Sequence, residues 1–131
     1  DPNAFKAWGG ISAAQNCVDA MFDEAVLKRH ISPVILAKAL STNAAKRFRM
    51  TGKGEIAPGF DADLVLIDPN QSYTITAEGL YYKNKFSAYE GRKVDCRITH
   101  TFVRGNLVYS LEKGFEGKPI GRRIDHSRYN N

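Results

Sequence analysis

Three histidines and one pair of aspartates are the side chains that could form a catalytic or metal site in this sequence. His30, His100 and His126 are the only histidines. None of them belongs to an HxH, HxxH or HExxH spacing, which would aim two imidazoles at one metal ion. We expect His30 to lie at a helix C-terminus, where a positive charge is favourable, and His100 to be a structural side chain within a strand. The histidines therefore predict no self-contained metal site.

Asp61 and Asp63 are two residues apart, so on a strand both carboxylates would lie on one face. Such a pair could carry out acid–base catalysis or bind a hard cation. Both residues flank a turn that leads into an apolar run, where aspartate commonly accepts hydrogen bonds from nearby backbone amides. We therefore predict a structural role for the pair. The nearby Gly52-Lys53-Gly54 lacks the spacing of a phosphate-binding loop.

Composition limits the classes of protein to consider. The 131 residues fit one ordinary domain and are too few for a complete large barrel enzyme. Hydrophobic residues at 43% and charged residues at 25% are typical of a globular chain and argue against disordered, fibrous or membrane-spanning proteins. The net charge of +5 comes from basic residues interleaved with acidic ones, so we predict solvated surface charge and neither a nucleic-acid nor a membrane partner.

The cysteines and the first residues indicate the cellular setting. Cys17 and Cys96 lie far apart and form no CxxC motif, so we expect two buried small hydrophobic residues in a reducing cytoplasm. The chain starts with Asp1-Pro2 and shows neither an initiator Met nor a secretory signal. We expect it to be a piece of a longer cytoplasmic protein.

The first part of the chain has helical periodicity. In residues 11–29 apolar side chains recur at steps of three and four, and acidic and basic residues, including Asp19 and Asp23, stand between them on the predicted polar face. Ser32-Pro33 supplies an N-cap and a proline at the first helical position for a second helix over 34–40. Thr42 is predicted to cap a third helix over 43–48.

From residue 52 onward the pattern is typical of strands. Residues 57–60 predict a type II turn, and the apolar run at 64–67 predicts a buried strand. Strands are also expected over 72–76 and 94–102, and the second should return through Arg104-Gly105-Asn106 as a hairpin into 107–109. Residues 112–131 are predicted to be an extended or partly disordered tail. The fold class predicted for this chain is α+β.

Two segments carry a resemblance to a known family. Residues 52–68, GKGEIAPGFDADLVLID, resemble the KGxIxxGxDADLVxxD signature near the C-terminus of the urease-related amidohydrolases. This family includes hydantoinases, dihydropyrimidinases, dihydroorotases and allantoinases. Residues 41–48, STNAAKRF, resemble the family's TNxAKxF motif at a fitting distance upstream.

Other segments are similar to the allantoinase branch of this family. They are KAWGGI at residues 6–11, the run at 16–26 and KFSAYEGR at 85–92, where Ala88 replaces an expected proline. This resemblance implies hydrolysis of the ring amide of allantoin to allantoate in purine breakdown. The alternatives are a piece of a hydantoinase or dihydropyrimidinase, which share the signature, or of a non-catalytic homologue that serves as an oligomerisation module.

The resemblance also implies an architecture. The family fold is a TIM-type barrel joined to a small β-sandwich built from both ends of the chain. Residues 1–51 would be the terminal helical part of the barrel, 52–111 the C-terminal part of the sandwich, and 112–131 a tail. Strand edges that the rest of the protein would cover suggest pairing with that remaining chain and with further copies in a homo-oligomer.

The family's chemistry implies residues that this chain does not match. Its members use two bridged divalent metals, usually zinc, held by an HxH pair, a carboxylated lysine, two further histidines and one aspartate. Asp1 precedes Pro2 instead of the expected His-Ser-Pro, so no metal ligand and no catalytic residue is assigned, and the chain alone is expected to be inactive. Trp8, Gly9 and Gly10 are the substrate-proximal candidates, because the matching backbone faces the ring substrate and glycine permits close approach.

Overall fold

Helices come first in the chain and strands follow, which confirms the predicted α+β class. The computed structural model describes residues 11–124. The first helical segment joins an α-helix at Cys17–Met21 to a π-helical continuation at Phe22–Lys28. The second helical segment runs through an α-helix at Pro33–Ala37, a π-helical turn at Lys38–Thr42 and an α-helix at Asn43–Arg47.

Six strands within residues 11–124 make two antiparallel sheets. The strands are β1 Leu64–Asp68, β2 Tyr73–Thr74, β3 Lys93–Val94, β4 Arg97–Val103, β5 Asn106–Ser110 and β6 Gly114–Phe115. The four-stranded sheet has the order β1-β4-β5-β6, and the two-stranded sheet pairs β2 with β3. The predicted strand over 94–102 is therefore divided between the two sheets, because the chain bends between Val94 and Arg97. β6 lies within the stretch expected to be a tail and extends the sheet.

The first helix starts later than its periodicity predicted. It begins at Cys17, six residues after Ile11, which is exposed. Three hydrogen bonds hold Gln15 in a turn: its backbone N–H donates to the Tyr82 hydroxyl (2.9 Å), its side chain donates to the Gly79 carbonyl (2.8 Å) and accepts from the Tyr81 N–H (2.8 Å). These long-range bonds outweigh the local helical preference of the preceding residues.

The acidic residues of this helix were assigned to the wrong face. Asp19 is only 4% exposed and Asp23 is fully buried, whereas Met21 is exposed. Asn16, Asp19, Ala20, Asp23 and Leu27 recur at helical steps, so one face of the helix carries them all against the two-stranded sheet. Polar groups of that sheet satisfy the carboxylates, which is why aspartate is tolerated there.

The second helical segment confirms one predicted cap and corrects the other. The Ser32 hydroxyl accepts a hydrogen bond from the Val34 N–H at 3.3 Å, and Pro33 occupies the first helical position. Thr42 is not a cap, because its backbone is helical (φ −59°, ψ −47°) and the helix continues through it. Its hydroxyl instead donates to the Gly54 carbonyl at 2.7 Å. The two short helices predicted on either side of Thr42 are one continuous segment.

The strand at 64–67 is present but is not buried as predicted. Val65 and Leu66 are 43% and 47% exposed, and among residues 11–124 β1 pairs with β4 alone. Because these two neighbouring side chains point to opposite faces of the sheet, neither face of β1 is fully covered by the described residues. The small core lies elsewhere, where Ile75, Leu80, Val94 and Cys96 pack together between the two-stranded sheet and the first helix.

The predicted turns are confirmed. The Phe60 N–H donates to the Ala57 carbonyl at 3.1 Å, and Gly59 has the positive φ (85°) that a type II turn requires at its third position. Arg104 and Gly105 both have positive φ between β4 and β5, as in a two-residue type I′ hairpin. Asn106 already belongs to β5. No helix within the described part of the chain is long and apolar enough to span a membrane.

Candidate functional site

His30 and His100 lie in different parts of the structure. His30 follows the first helical segment directly, with a left-handed φ of 55°, so its predicted place at a helix C-terminus is confirmed. His100 lies inside β4, where its Nδ1 contacts the Thr99 hydroxyl at 3.1 Å and its ring stacks near Phe102. His126 is outside the described residues. Within residues 11–124 no three His, Cys, Asp or Glu side chains come together as metal ligands.

Asp61 and Asp63 converge on one lysine. Lys53 Nζ lies 2.8 Å from an Asp61 carboxylate oxygen and also donates to Asp63. The second Asp63 oxygen accepts a hydrogen bond from the Arg104 N–H at 2.8 Å, at the tip of the β4–β5 hairpin. Asp63 thus binds a backbone amide, but that amide lies 41 positions away in sequence and not in the adjacent turn, where the prediction placed it. The motif residues fasten the turn before β1 to the neighbouring hairpin.

The charges of this cluster stabilise one another. The hydrogen bonds that the Lys53 ammonium donates to the two carboxylates raise the pKa of Lys53 above its ordinary value of 10.5. Burial alone would raise the pKa of Asp63, but the hydrogen bonds from Lys53 and from the Arg104 backbone outweigh it and lower the pKa below 3.8. Lys53 and Asp63 are therefore both charged at neutral pH, and the Asp63 carboxylate has no proton to donate in acid–base catalysis.

The backbone conformation and the surroundings of Gly54 explain why the motif has a glycine at this position. Its φ is 87°, and a Cβ added there would lie 2.5 Å from the Ala45 Cβ. The loop thus packs directly on the second helical segment, where Thr42 binds the Gly54 carbonyl. The two stretches that carry the family resemblance, 41–48 and 52–68, touch at this point. A glycine is required both by backbone conformation and by space.

Asp23, which is fully buried, is the centre of a second group of charges. Its carboxylate binds Lys28 Nζ (2.7 Å), an Arg92 guanidinium nitrogen (3.3 Å) and the Asp95 N–H (3.1 Å). Burial alone would raise the pKa of Asp23, but these hydrogen bonds outweigh it and hold the pKa below 3.8. Arg92 also reaches Glu24 at 3.3 Å. This ionised group joins the first helix to the loops around β3.

One helical turn away, the buried Asp19 forms a hydrogen-bonded pair with the half-buried Tyr73. The Tyr73 hydroxyl donates to one Asp19 oxygen, and the Ala20 N–H donates to the other at 3.0 Å. Burial raises the pKa of Asp19 above 3.8 despite these hydrogen bonds, and burial together with the neighbouring carboxylate raises the pKa of the Tyr73 phenol. The Arg97 guanidinium lies over the Tyr73 ring, 3.7 Å from its centroid.

This pair lies in the wall of a cavity of about 380 Å³ between the first helix and the two sheets. Sequence reasoning missed it, because Asp19 was assigned to the polar face of the helix. The helical spacing of Asn16, Asp19 and Asp23 was the signal that could have revealed it. The predicted substrate-proximal residues Trp8, Gly9 and Gly10 lie outside the described residues, so the structure does not relate them to this cavity.

Both cysteines are free thiols. Cys96 is fully buried, as predicted, and its thiol donates to the Asp19 carbonyl at 3.4 Å. Burial raises the pKa of the Cys96 thiol to about 11, which leaves it protonated and unreactive. Cys17 is only partly buried, and its Sγ lies 3.8 Å from the Met21 sulfur.

The fold of this chain is similar to parts of solved enzyme structures. The D-hydantoinase (dihydropyrimidinase) from Thermus sp. superposes with a TM-score of 0.79 at 31% identity over 87% of this chain and 25% of that one. The L-hydantoinase (dihydropyrimidinase) from Arthrobacter aurescens gives a TM-score of 0.74 at 27% identity, over 82% of this chain and 24% of that one.

Curated sequences show a higher identity. Allantoinases of Escherichia coli strains SE11 and K12 are 50% identical to this chain over 122 residues, which are 93% of this chain and 27% of each relative. The chain thus spans about a quarter of the length of the curated relatives it matches. Residues 9–108 match the family described as the amidohydrolase family. Since this match covers most of the sequence, the chain belongs to the amidohydrolase family.

Proposed function

We propose that this chain is the C-terminal portion of an allantoinase, which hydrolyses the ring amide of allantoin to allantoate in purine breakdown. The observation that carries the proposal is 50% identity to Escherichia coli allantoinases over 93% of the chain. Identity to the hydantoinase from Thermus sp. is lower, at 31%. The substrate is therefore assigned from the allantoinase relatives and the fold from the hydantoinase structures.

In this proposal the chain has a structural and assembly role in the enzyme. Residues 1–51 form the terminal helical part of a TIM-type barrel, 52–111 the C-terminal part of a β-sandwich, and 112–131 a tail. Two connections between helices and strands support this division: Thr42 with Gly54, and Asp23 with the loops around β3. They would hold the sandwich in a fixed orientation on the barrel.

The metal chemistry is assigned to other parts of the longer enzyme. The family resemblance implies two divalent metals, with zinc as the expected ion, but residues 11–124 contain no group of ligands that fits one. No catalytic step is therefore derived for the described residues. We expect the chain alone to be inactive towards allantoin, since it would lack the groups that activate water.

Trp8, Gly9 and Gly10 are proposed to line the substrate pocket of the longer enzyme. Gly9 is where the family match begins. A glycine there would let the main chain contact a flat ring directly, through backbone amide and carbonyl groups. A side chain at Gly9 should then obstruct substrate binding more than it affects folding.

The open edge and exposed apolar residues of β1 support the proposal that other protein surface covers this strand. Val65 and Leu66 present apolar surface on β1, which has one edge without a strand partner among residues 11–124. We propose that the rest of the same polypeptide covers this edge and that the enzyme is a cytoplasmic homo-oligomer. A second candidate activity, hydrolysis of hydantoin or dihydropyrimidine rings, is favoured by the structural similarity to hydantoinases.

The test is a hydrolysis assay with added zinc on the longer protein that contains this sequence and on the 131-residue chain. The expected result is turnover of allantoin in preference to hydantoin and dihydrouracil by the longer protein, and no turnover by the chain alone. Gly9→Val should raise KM strongly. Gly121→Val is the matched control, because a Cβ at Gly121 meets no other atom within 4 Å. Preference for hydantoin would support the second candidate instead.

A further inference from the structure

Gln15 joins the start of the first helical segment to a loop that follows β2. Its backbone N–H donates to the Tyr82 hydroxyl at 2.9 Å. Its side-chain amide donates to the Gly79 carbonyl at 2.8 Å and accepts from the Tyr81 N–H at 2.8 Å. The three partners are 64 to 67 positions away in sequence but lie within four consecutive residues, 79–82. One loop therefore fixes both the position and the orientation of Gln15.

Ser87, from the same loop, makes a second connection closer to the beginning of the chain. Its hydroxyl donates to the Ser12 carbonyl at 3.3 Å and accepts from the Tyr89 N–H at 3.1 Å, and the residue is only 3% exposed. Between the two connections, the Asn16 N–H donates to the Ala13 carbonyl at 3.0 Å and closes a turn. The stretch that precedes the first helix is therefore held at both of its ends.

The loop that provides these partners, residues 79–87, is called here the support loop, and it is itself fastened to the core. Leu80 is only 1% exposed and belongs to the apolar core, and Tyr82 packs against that core. The ring of Tyr81 contacts Phe115, with the two centroids 4.6 Å apart. Because core side chains are close-packed, the support loop cannot shift without disturbing these neighbours.

The stretch held by the support loop directly follows the residues proposed to contact the substrate. Gly10 is two positions before Ser12, and two residues of chain span at most about 7 Å. Only Ile11 lies between them, so a displacement of Ser12 is passed on to Gly9 and Gly10. A backbone that contacts a ring substrate must be placed accurately, because a shift of about 1 Å can lower a rate on the order of a hundredfold.

The two side-chain bonds of Gln15 lie at an exposed surface. Water can replace hydrogen bonds there, so their net contribution to the stability of the fold is small. Their main effect is on position, since they prevent Gln15 from moving relative to the support loop.

We propose that Gln15 and Ser87 are positioning residues for substrate binding, because the support loop acts through them to fix the backbone next to the substrate-proximal stretch 8–10. The inference rests on the proposed function, since it requires that stretch to contact the ring substrate. It adds a role for a loop that follows β2, and it makes two side chains determinants of substrate affinity although neither touches the substrate.

The first experiment measures position without relying on activity. Hydrogen–deuterium exchange, read by mass spectrometry, compares the longer protein that contains this sequence with its Gln15→Met variant. Methionine keeps the length of the side chain and removes both of its hydrogen bonds. The amides of residues 8–14 should exchange at least about fivefold faster in Gln15→Met, because the stretch opens more often. Unchanged exchange at these amides overturns the proposal.

Thr42→Val is the matched control for both experiments. It also removes a side-chain hydrogen bond to a distant carbonyl, that of Gly54, and this bond likewise joins a helical segment to a loop. It lies away from the support loop, so residues 8–14 should exchange as in the native protein. Equal acceleration at residues 8–14 in Thr42→Val and Gln15→Met would mean a general loss of stability and would overturn the proposal.

Steady-state kinetics of the same longer proteins with added zinc measure the consequence for binding. Gln15→Met should raise the KM for allantoin about tenfold and change kcat less than about twofold, as expected when binding is weakened equally in the ground and transition states. Gln15→Glu keeps the acceptor for the Tyr81 N–H and should recover part of the loss. Ser87→Ala should raise KM about threefold, since one hydrogen bond is lost. A native KM in both Gln15→Met and Ser87→Ala overturns the proposal.

Failure of the proposed function would be seen in the native protein and not in the variants. If the native longer protein prefers hydantoin or dihydrouracil, the same rise in KM is expected on the ring that it hydrolyses. If it hydrolyses none of these rings, the exchange of residues 8–14 decides alone: faster exchange in Gln15→Met with native exchange in Thr42→Val supports the positioning role, and any other pattern overturns it.

Discussion

Asp23 accepts a hydrogen bond from the backbone N–H of Asp95 at 3.1 Å, across 72 positions of the sequence. The same carboxylate, fully buried, also binds Lys28 and Arg92. The first helix is therefore attached to the loops around β3 by a charged group as well as by apolar packing. Removal of a buried carboxylate would leave these donors without their partner.

Asp23→Ala should lower the free energy of unfolding by about 3 kcal/mol, because it leaves the Asp95 N–H unsatisfied and Arg92 and Lys28 without their buried partner. Urea unfolding monitored by circular dichroism measures the change. Glu24→Ala is the matched control: it removes an exposed carboxylate that pairs with the same Arg92, and it should have a much smaller effect. Equal losses in the two variants would contradict the assigned role of Asp23.

Gly54→Ala should destabilise the chain by about 2–4 kcal/mol, because the new Cβ would enter the space of Ala45 and the residue would keep a left-handed conformation. Gly59→Ala is a close control, since Gly59 has a φ of 85° and open space around it. It should cost only about 1–2 kcal/mol. Thermal or urea unfolding measures the free energy of unfolding of both variants, and the difference between the two losses is the steric contribution. Equal losses would contradict the predicted clash with Ala45.

The Lys53 cluster predicts a defined dependence of stability on pH. Because the folded pKa of Asp63 lies below 3.8, its contribution is present above that pH and is lost as the pH falls through the folded pKa. The folded pKa of Lys53 lies above 10.5, so its contribution is present below that pH and is lost as the pH rises further. Lys53→Met should remove about 1 kcal/mol at neutral pH and reduce both losses.

Urea midpoints of the native chain and of Lys53→Met from acid to alkaline pH measure this effect. Lys38→Met removes an exposed lysine of the second helical segment and serves as the charge control. Its pH profile should follow that of the native chain. Parallel profiles for native chain and Lys53→Met would show that the cluster contributes nothing.

The two thiols should differ strongly in reactivity. Cys96 is buried and its pKa is raised to about 11, so a disulfide reagent near pH 8 should modify it only when the chain opens. Cys17, which is partly exposed, should react first. Release of one equivalent of chromophore in the fast phase, lost in Cys17→Ser, is the expected result. A fast phase of two equivalents would contradict the burial of Cys96.

Local signals in the sequence predicted local structure well. The Ser32-Pro33 cap, the turn at 57–60 and the hairpin at Arg104-Gly105 depend on residues within four positions of each other, and all three are present. The predicted N-cap at Thr42 was wrong, because the Thr42 hydroxyl donates instead to the carbonyl of Gly54, 12 residues away. Capping rules consider only residues close in sequence, so they could not predict this hydrogen bond.

The buried polar residues could not be predicted for a similar reason. Asp19 and Asp23 belong on the inner face of their helix only because Tyr73, Arg92 and Asp95 approach them from the sheet. Likewise, the apolar run of β1 is typical of a buried strand, but its burial depends on a neighbour that residues 11–124 do not supply. The family, in contrast, was recognisable because two long motifs, at residues 41–48 and 52–68, resemble those of the family and follow one another in the same order.

The most direct test of the central claim is a chimera in which this chain replaces the homologous C-terminal quarter of Escherichia coli allantoinase, and the measurement is hydrolysis of allantoin. If this chain is the C-terminal portion of an allantoinase, the chimera should fold, hydrolyse allantoin within about tenfold of the parent rate, and lose activity when Gly9→Val is introduced. A folded chimera that binds metal but does not hydrolyse allantoin, or that prefers hydantoin, would contradict the claim.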